Sequence, residues 1–220
     1  MDLSLPPLYA ILDPEQTNGR AIDEILGELL CAGVKMLQLR VKSLASNEFL
    51  ALAKIVRSET AAHRCRLIVN DRVDIAMACN ADGVHLGQDD LPLHAGRKLL
   101  GRKIIGISTH DIEQARQAQR DGADYIGFGP MFGTRTKDTG YSARGTGMLK
   151  EIRAAVGIPI VAIGGISEDN VQQVWQAGAD SAAIISDILG SNNIAAKIET
   201  ILTRFTALDG RDRAGTSTNS

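Results

Sequence analysis

Residues 159–186 read PIVAIGGISEDNVQQVWQAGADSAAIIS, and this stretch contains the building unit of the chain. Two short runs rich in Val, Ile and Ala, at 159–164 and 181–185, flank a segment at 168–177 that has the pattern of an amphipathic helix. Gly178 follows that segment, and glycine in this position readily adopts the left-handed conformation that ends a helix. The stretch therefore predicts a strand, a helix and a second strand in succession.

Similar units recur along the chain. The segments 32–35 and 121–124 resemble 177–180, and each lies between a predicted helix and the next predicted strand. The pattern predicts strands at 8–12, 35–40, 66–70, 83–86, 103–108, 124–128, 159–164 and 181–185. It predicts helices at 17–32, 46–63, 72–79, 91–100, 111–121, 147–156, 168–177 and 192–205.

The predicted strands are almost continuously apolar, which is typical of a parallel sheet that is buried on both faces. Eight repeated strand–helix units close naturally into a barrel. The sequence thus predicts an α/β fold made of a single-domain (β/α)8 TIM barrel. An open doubly wound sheet is the main alternative, but the count of eight strands and the lack of a GxGxxG motif after the first strand favour the barrel.

The composition is that of an ordinary globular domain. Of 220 residues, 44% are hydrophobic and 23% are charged, and 24 Lys and Arg stand against 26 Asp and Glu. This near-neutral balance predicts neither a nucleic-acid nor a membrane partner. The three cysteines (Cys31, Cys65 and Cys79) have no CxxC spacing, which predicts reduced thiols in a cytoplasmic protein.

The expected domain organisation is simple. Residues 1–208 are assigned to the barrel, and residues 209–220 to a disordered tail because they contain almost nothing apolar. Many barrels form homo-oligomers, and such an assembly is compatible with this chain, although no apolar stripe assigns an interface.

The second predicted strand ends in polar residues. Gln38, Arg40 and Lys42 alternate with apolar neighbours, so the three polar side chains share one face of the strand. Because active sites of such barrels lie at the carboxyl ends of the strands, this face predicts an anion site in the barrel mouth. The alternative is a strand edge with solvated charges.

Acidic residues follow the third and fourth strands. Asp71 and Asp90 lie at positions that meet at the barrel mouth, and Mg²⁺ is usually held by one or two carboxylates with substrate phosphates and water. Spacing alone would also allow Asp89 in place of Asp90. The alternative is that both aspartates cap the helices that follow them.

Further candidate groups follow the later strands. Ser108 and the run at 134–137 offer hydroxyl, guanidinium and ammonium groups suited to phosphate. Gly165 and Ser186 follow strands seven and eight, where barrels commonly bind phosphate through backbone N–H groups. His85 and His110 also lie near the mouth, either as a catalytic base or as structural residues.

Taken together, these motifs resemble the thiamine phosphate synthase family. Six stretches carry the resemblance in the family's order: QLRVK at 38–42, VNDRV at 69–73, GVHLGQDD at 83–90, GISTH at 106–110, GFGPMF at 127–132 with TRTK at 134–137, and IGGI at 163–166. The resemblance implies an enzyme that joins an aminopyrimidine methyl diphosphate to a thiazole phosphate, releases pyrophosphate and uses Mg²⁺.

The resemblance also implies roles for residues. It assigns the pyrimidine diphosphate to Gln38, Leu39, Arg40, Val41, Lys42, Asn70, Ser108 and Lys137; the thiazole phosphate to Thr134, Arg135, Thr136, Gly165, Ile185 and Ser186; and the metal to Asp71 and Asp90. Among these, Ser108, Lys137 and Arg40 are expected to act directly in catalysis. A related thiazole tautomerase, and a non-catalytic thiamine-phosphate sensor on the same barrel, are the alternative functions.

Overall fold

The computed structural model is a closed barrel of eight parallel strands, each hydrogen-bonded to the next in chain order. The barrel closes where β1 (Leu8–Leu12) pairs with β8 (Ser181–Ile184), with Tyr9 opposite Ala183. The structure describes residues 3–133 and 142–208 with their side chains, and the helical backbone of 209–215. The predicted (β/α)8 fold is therefore confirmed.

Helices alternate with the strands around the barrel. The remaining strands are β2 (Met36–Leu39), β3 (Arg66–Asn70), β4 (Gly83–Leu86), β5 (Ile104–Thr109), β6 (Tyr125–Phe128) and β7 (Ile160–Ile163). The helices are α1 (Ile22–Cys31), α2 (Ser46–Ala62), α3 (Val73–Ala78), α4 (Leu93–Leu100), α5 (Ile112–Arg120), α6 (Gly145–Ala155), α7 (Val171–Gln176), α8 (Ser186–Leu189) and α9 (Ile194–Gly215), with a short 3₁₀ helix at Pro14–Gln16. None of the helices in the described part of the chain has both the length and the apolar character needed to cross a membrane.

Most helices begin or end a few residues away from the sequence prediction, and three of the differences are informative. Helix α1 begins at Ile22 rather than at residue 17, because Asn18 and Gly19 both adopt positive φ and interrupt the chain there. Helix α8 is a single turn, too short for the hydrophobic period to reveal. Helix α9 continues past the expected barrel boundary at residue 208 to Gly215, and that domain boundary stays a prediction.

Alternate residues of each strand face opposite sides of the barrel wall. One buried cluster lies between the barrel and its helices. The other fills the barrel interior and consists of Tyr9, Ile11, Met36, Ile68, Tyr125, Val161 and Ala183. Side chains alternate along each strand, so the next inward-facing side chain lies two residues beyond this layer. These side chains lie at the carboxyl ends of the strands.

Aspartates that directly precede strands have a structural role at the opposite end of the barrel, and two of them, Asp124 and Asp180, belong to the repeated segments noted in the sequence. Each of three aspartates that directly precede a strand forms an ion pair with an arginine of a helix. Each also accepts a hydrogen bond from a backbone N–H of a neighbouring strand. The three pairs are Asp82 with Arg57, Asp124 with Arg97, and Asp180 with Arg153. Asp124, for example, accepts Ile105 N at 2.7 Å. These contacts tie helices to strands at the end of the barrel away from the candidate site.

Candidate active site

A pocket opens at the carboxyl ends of the strands, above the interior layer. Pro130, Val161 and Ile163 contribute apolar walls. Seven predicted site residues line the same pocket: Gln38, Arg40, Asn70, Ser108, Gly165, Ile185 and Ser186. The closed barrel thus brings together residues from both halves of the sequence.

The polar face of β2 enters this pocket as its alternation predicts. Gln38 is buried and Arg40 is only 14% exposed, so the alternative of a solvated strand edge is wrong for both residues. Arg40 forms an ion pair with the fully buried Asp13, which follows β1. Leu39 and Val41 point the other way, into the core between barrel and helices, so only their backbone can face a ligand.

Asp13 is a residue of the site that the sequence analysis did not identify. Its Oδ1 accepts the backbone N–H of Glu15 at 3.0 Å, while its other oxygen contacts the Arg40 guanidinium. The backbone N–H of Arg40 also donates to the carbonyl of Leu12 at 3.0 Å. Asp13 therefore holds the Arg40 side chain in one orientation beside the pocket.

Asp71 and Asp90 follow β3 and β4: Asp71 comes directly after Asn70 of the pocket, and Asp90 lines a second cleft with Gly87 and Gln88. Asp71 has φ +62, a left-handed conformation that Asp tolerates better than most residues, and its backbone N–H donates to His85 O at 2.8 Å. Lys42 forms an ion pair with Asp71, and Asp90 accepts the backbone N–H of Gly87 at 2.6 Å. In the described structure neither α3 nor α4 has a side-chain cap, so the helix-cap alternative is wrong.

The two carboxyl groups lie close enough to shift each other's pKa in opposite directions. Partial burial alone raises the pKa of Asp71, but the Lys42 ammonium and the hydrogen bond with Asp90 outweigh it and leave that pKa below its ordinary value. Burial raises the pKa of Asp90, and the hydrogen bond to Asp71 raises it further. Of the two carboxyl groups, Asp90 is therefore the one that takes up a proton more readily.

This pair fits a magnesium ion. Two neighbouring carboxylates are the oxygen donors that Mg²⁺ prefers, and the cation would offset the repulsion between their negative charges. Within residues 3–133 and 142–208, no group of three or more His, Cys, Asp or Glu side chains could hold a metal. The other ligands must then come from water and substrate phosphate, which is the usual arrangement for Mg²⁺.

Ser108 is held from two sides at the end of β5. Its hydroxyl lies 2.9 Å from Nε2 of the buried His85, and Gln88 Nε2 donates to its backbone carbonyl. His110 lies near the pocket as well, with Nδ1 2.7 Å from the carbonyl of Gly129. Both histidines therefore have hydrogen-bond partners on the protein.

The opposite side of the pocket is built from the turns after β7 and β8. Gly165 has φ +65, and a Cβ there would lie 2.5 Å from the carbonyl of Gly133, so only glycine fits. Asp187 accepts the backbone N–H of Glu168 at 2.9 Å and contacts Lys197. Lys197 also pairs with Glu168, so the three side chains link the turn bearing Gly165 to the turn bearing Ser186.

Four of the predicted site residues follow β6 in sequence. Thr134, Arg135, Thr136 and Lys137 lie outside the described residues. Their roles therefore remain predictions.

Comparison with known proteins gives one consistent family. The family model for thiamine monophosphate synthase matches residues 8–188. A thiamine-phosphate synthase from Clostridium tetani (strain Massachusetts / E88) is 46% identical over 188 residues, covering 85% of this chain and 90% of that protein. A thiamine-phosphate synthase from Methanospirillum hungatei JF-1 is 48% identical over 190 residues, covering 86% and 92% of the two chains.

A solved structure is similar over nearly its whole length. The thiamine phosphate pyrophosphorylase from Pyrococcus furiosus superposes with a TM-score of 0.84 at 31% identity, covering 91% of this chain and 96% of that one. By comparison, a 3-hexulose-6-phosphate synthase superposes with a TM-score of 0.64 at only 17% identity, a likeness that shows the barrel fold alone. The chain therefore belongs to the thiamine monophosphate synthase family.

Proposed function

We propose that this chain synthesises thiamine phosphate, by joining 4-amino-2-methyl-5-(diphosphooxymethyl)pyrimidine to 4-methyl-5-(2-phosphoethyl)thiazole with release of pyrophosphate. The observation that supports the proposal is one pocket lined by the cation of Arg40 and by the turns that carry Gly165 and Ser186, two features suited to anions. Asp71, next to the pocket residue Asn70, and Asp90 would add a bound Mg²⁺ to the half that contains Arg40. Such a cytoplasmic transferase would act in thiamine biosynthesis.

The two halves of the pocket suit the two substrates. The pyrimidine diphosphate would bind between β2 and β5, where its ring and phosphates meet amides, two cations and a hydroxyl. The residues in this half are Gln38, Arg40, Lys42, Asn70 and Ser108, together with Lys137 by resemblance. The thiazole phosphate would bind the backbone N–H groups near Gly165, Ile185 and Ser186, with Thr134, Arg135 and Thr136 added by resemblance.

The reaction needs charge stabilisation more than proton transfer. The C–O bond to the diphosphate breaks first, the electron pair leaves with the oxygen, and the electron-rich pyrimidine stabilises the methylene cation that remains. The thiazole nitrogen then donates its lone pair to that carbon. No proton has to be removed in these two steps, which agrees with histidines that are already hydrogen-bonded on the protein.

The described side chains can assist both steps. Arg40 and Lys42 would neutralise charge that builds on the departing diphosphate, and the apolar walls at Val161 and Ile163 limit the water that could trap the cation. When bound by Asp71 and Asp90, Mg²⁺ would supply further neutralisation of the leaving group. Holding both substrates in one pocket supplies the orientation for the second step.

The proposal is tested by mixing both substrates with the protein and Mg²⁺. We expect pyrophosphate and thiamine phosphate in equal amounts, and neither product when Mg²⁺ is removed with a chelator. Binding or isomerisation of the thiazole phosphate without release of pyrophosphate would instead identify the tautomerase or the sensor.

The buried ion pair between Asp13 and Arg40 gives a prediction about stability. We expect Asp13→Asn to lower the free energy of unfolding by roughly 3 kcal/mol, because it leaves a mostly buried guanidinium without its counter-ion. Inorganic pyrophosphate supplies a new anionic partner for Arg40, so it should raise the melting temperature of the variant more than that of the wild type. An equal rise in melting temperature in both proteins would show that Arg40 does not bind the diphosphate.

The cluster behind the phosphate turns gives a prediction about affinity. We expect Asp187→Ala to raise the KM for the thiazole phosphate about tenfold, since the two turns lose the carboxylate that links them. Loss of the negative charge alone would instead lower this KM, because the thiazole phosphate is an anion. Steady-state kinetics with each substrate varied in turn checks this, and the KM for the pyrimidine diphosphate should stay unchanged.

The matched control is Asp169→Ala, which removes an exposed carboxylate on the same side of the molecule. We expect an unchanged or slightly lower KM for the thiazole phosphate in that variant. A similar rise in both variants would show that the effect of Asp187→Ala does not come from the link between the two turns.

A further inference from the structure

A continuous chain of hydrogen bonds crosses the barrel interior beneath the pocket. Gln38 Nε2 lies 3.1 Å from the Tyr9 hydroxyl, which lies 3.1 Å from the Tyr125 hydroxyl. The Tyr125 hydroxyl lies 3.0 Å from Nδ1 of His85, and Nε2 of His85 lies 2.9 Å from Oγ of Ser108. The two ends of the chain are two residues expected to contact the pyrimidine diphosphate.

The barrel is built to hold this chain in place. Tyr9 and Tyr125 are almost completely buried, with ring centroids 6.1 Å apart in an edge-to-face arrangement. A Cβ at Gly106 would lie 2.0 Å from the Tyr125 ring, and a Cβ at Gly127 would lie 2.8 Å from the His85 ring. Two strand positions without side chains therefore make the space that these rings occupy.

The direction of the chain follows from counting hydrogens. Burial raises the pKa of both tyrosines, so each hydroxyl keeps its proton and has one hydrogen to donate. The Gln38 amide N–H can only donate, so the Tyr9 oxygen accepts it. The Tyr9 hydrogen then goes to Tyr125, and the Tyr125 hydrogen goes to Nδ1 of His85.

The opposite direction is less favourable in the described structure. It would make Tyr9 accept from both Gln38 and Tyr125, and no described contact would then receive the hydrogen of the buried Tyr9 hydroxyl. An unsatisfied buried hydroxyl costs free energy, so the first direction is preferred.

We propose that this chain positions Ser108 for the reaction, by holding His85 in the tautomer that carries its hydrogen on Nε2. His85 then donates to the Ser108 oxygen, and the Ser108 hydrogen is left to point at an oxygen of the bound diphosphate. Tyr125 and His85 are accordingly positioning residues for Ser108, while Tyr9 positions Gln38. This inference rests on the proposed function for its kinetic consequences, but not for the tautomer itself.

Two matched substitutions separate the two ends of the chain, since each removes one buried hydroxyl and leaves the ring. Tyr125→Phe removes the donor to His85, so we expect kcat to fall about 10- to 100-fold, the usual effect of losing a partner that orients a functional group. The KM values should change little. Tyr9→Phe leaves Tyr125 able to donate to His85, so we expect its main effect on the KM for the pyrimidine diphosphate.

The tautomer is measured directly by ¹⁵N nuclear magnetic resonance on protein labelled at histidine, with the His85 signals assigned by a His85→Gln variant. We expect the hydrogen on Nε2 in the wild type and in Tyr9→Phe, and a mixture of tautomers in Tyr125→Phe. A hydrogen on Nδ1 in the wild type, or the same tautomer and the same kinetic effect in both variants, would overturn the proposal.

The spectra need no substrate, so the two hypotheses can fail separately. An Nε2–H tautomer in a protein that makes no thiamine phosphate would reject the proposed function and leave the direction of the chain established. Normal synthesis by a wild-type protein with the Nδ1–H tautomer would reject the positioning role alone.

Discussion

Asp71→Asn is expected to lower the rate of pyrophosphate release by about 10²- to 10³-fold, the effect of removing one group that stabilises charge in a transition state. Asparagine keeps the shape of the side chain and tolerates the left-handed backbone of Asp71, so the fold should remain intact. Alanine would add backbone strain to the loss of the carboxylate. The reaction is followed by coupled detection of pyrophosphate with both substrates present.

The dependence on magnesium identifies the cause of that loss. Asn retains an oxygen but has no charge, so the variant should need more Mg²⁺ for half its maximal rate, and excess Mg²⁺ should restore part of the activity. An unchanged magnesium requirement would place the ion elsewhere. Circular dichroism of the variant, matching that of the wild type, excludes unfolding as the explanation.

Two neighbouring aspartates provide the control for this site. Asp90 contacts Asp71, whereas Asp89 is exposed to solvent. We therefore expect Asp90→Asn to resemble Asp71→Asn, and Asp89→Asn to retain nearly the wild-type rate and magnesium requirement. The reverse result would show that the carboxylate pair seen here is not the one that binds the metal.

Local patterns were enough to predict the barrel and part of its mouth. Because side chains alternate along a strand, Gln38 and Arg40 share one face. Because they lie at the carboxyl end of a barrel strand, that face borders the barrel mouth. The same reasoning brings Asn70, Ser108 and Gly165 to one pocket. These inferences need only the strand order and the direction of the chain.

The partners of these residues depend on contacts that no local pattern contains. Asp13 meets Arg40 because β1 and β2 are neighbours in a particular register, and Tyr9 meets Tyr125 across 116 residues of sequence. One signal was present in the sequence: each tyrosine lies in an otherwise apolar strand, where a buried hydroxyl must find a partner. The identity of that partner required the closed barrel.

Gly106→Ala is expected to destabilise the fold by overpacking the barrel interior. The added Cβ would lie 2.0 Å from Cζ of Tyr125, and that ring is confined between Tyr9 and His85. We expect the free energy of unfolding to fall by about 3 kcal/mol, the upper part of the range for overpacked cores. For a domain of this size the melting temperature should fall by roughly 6 to 12 °C.

A second glycine provides a control of opposite sign. Gly27 lies on the exposed face of α1, where an added Cβ would have no neighbouring atom within 4 Å, so Gly27→Ala should raise the free energy of unfolding by about 0.5 to 1 kcal/mol. Thermal unfolding followed by circular dichroism compares both variants with the wild type. Equal melting temperatures for Gly106→Ala and the wild type would show that the Tyr125 ring moves aside without cost.

A double substitution tests whether the clash with Tyr125 is the cause. In a Tyr125→Leu background the ring is absent, so adding Gly106→Ala should cost much less than it does in the wild type, and the two effects should not add. In a Tyr125→Phe background the ring remains, so the full cost of Gly106→Ala should remain as well. This pattern would assign the stability of the barrel interior to the space that Gly106 leaves for an aromatic ring, separately from the hydrogen bond that the Tyr125 hydroxyl makes.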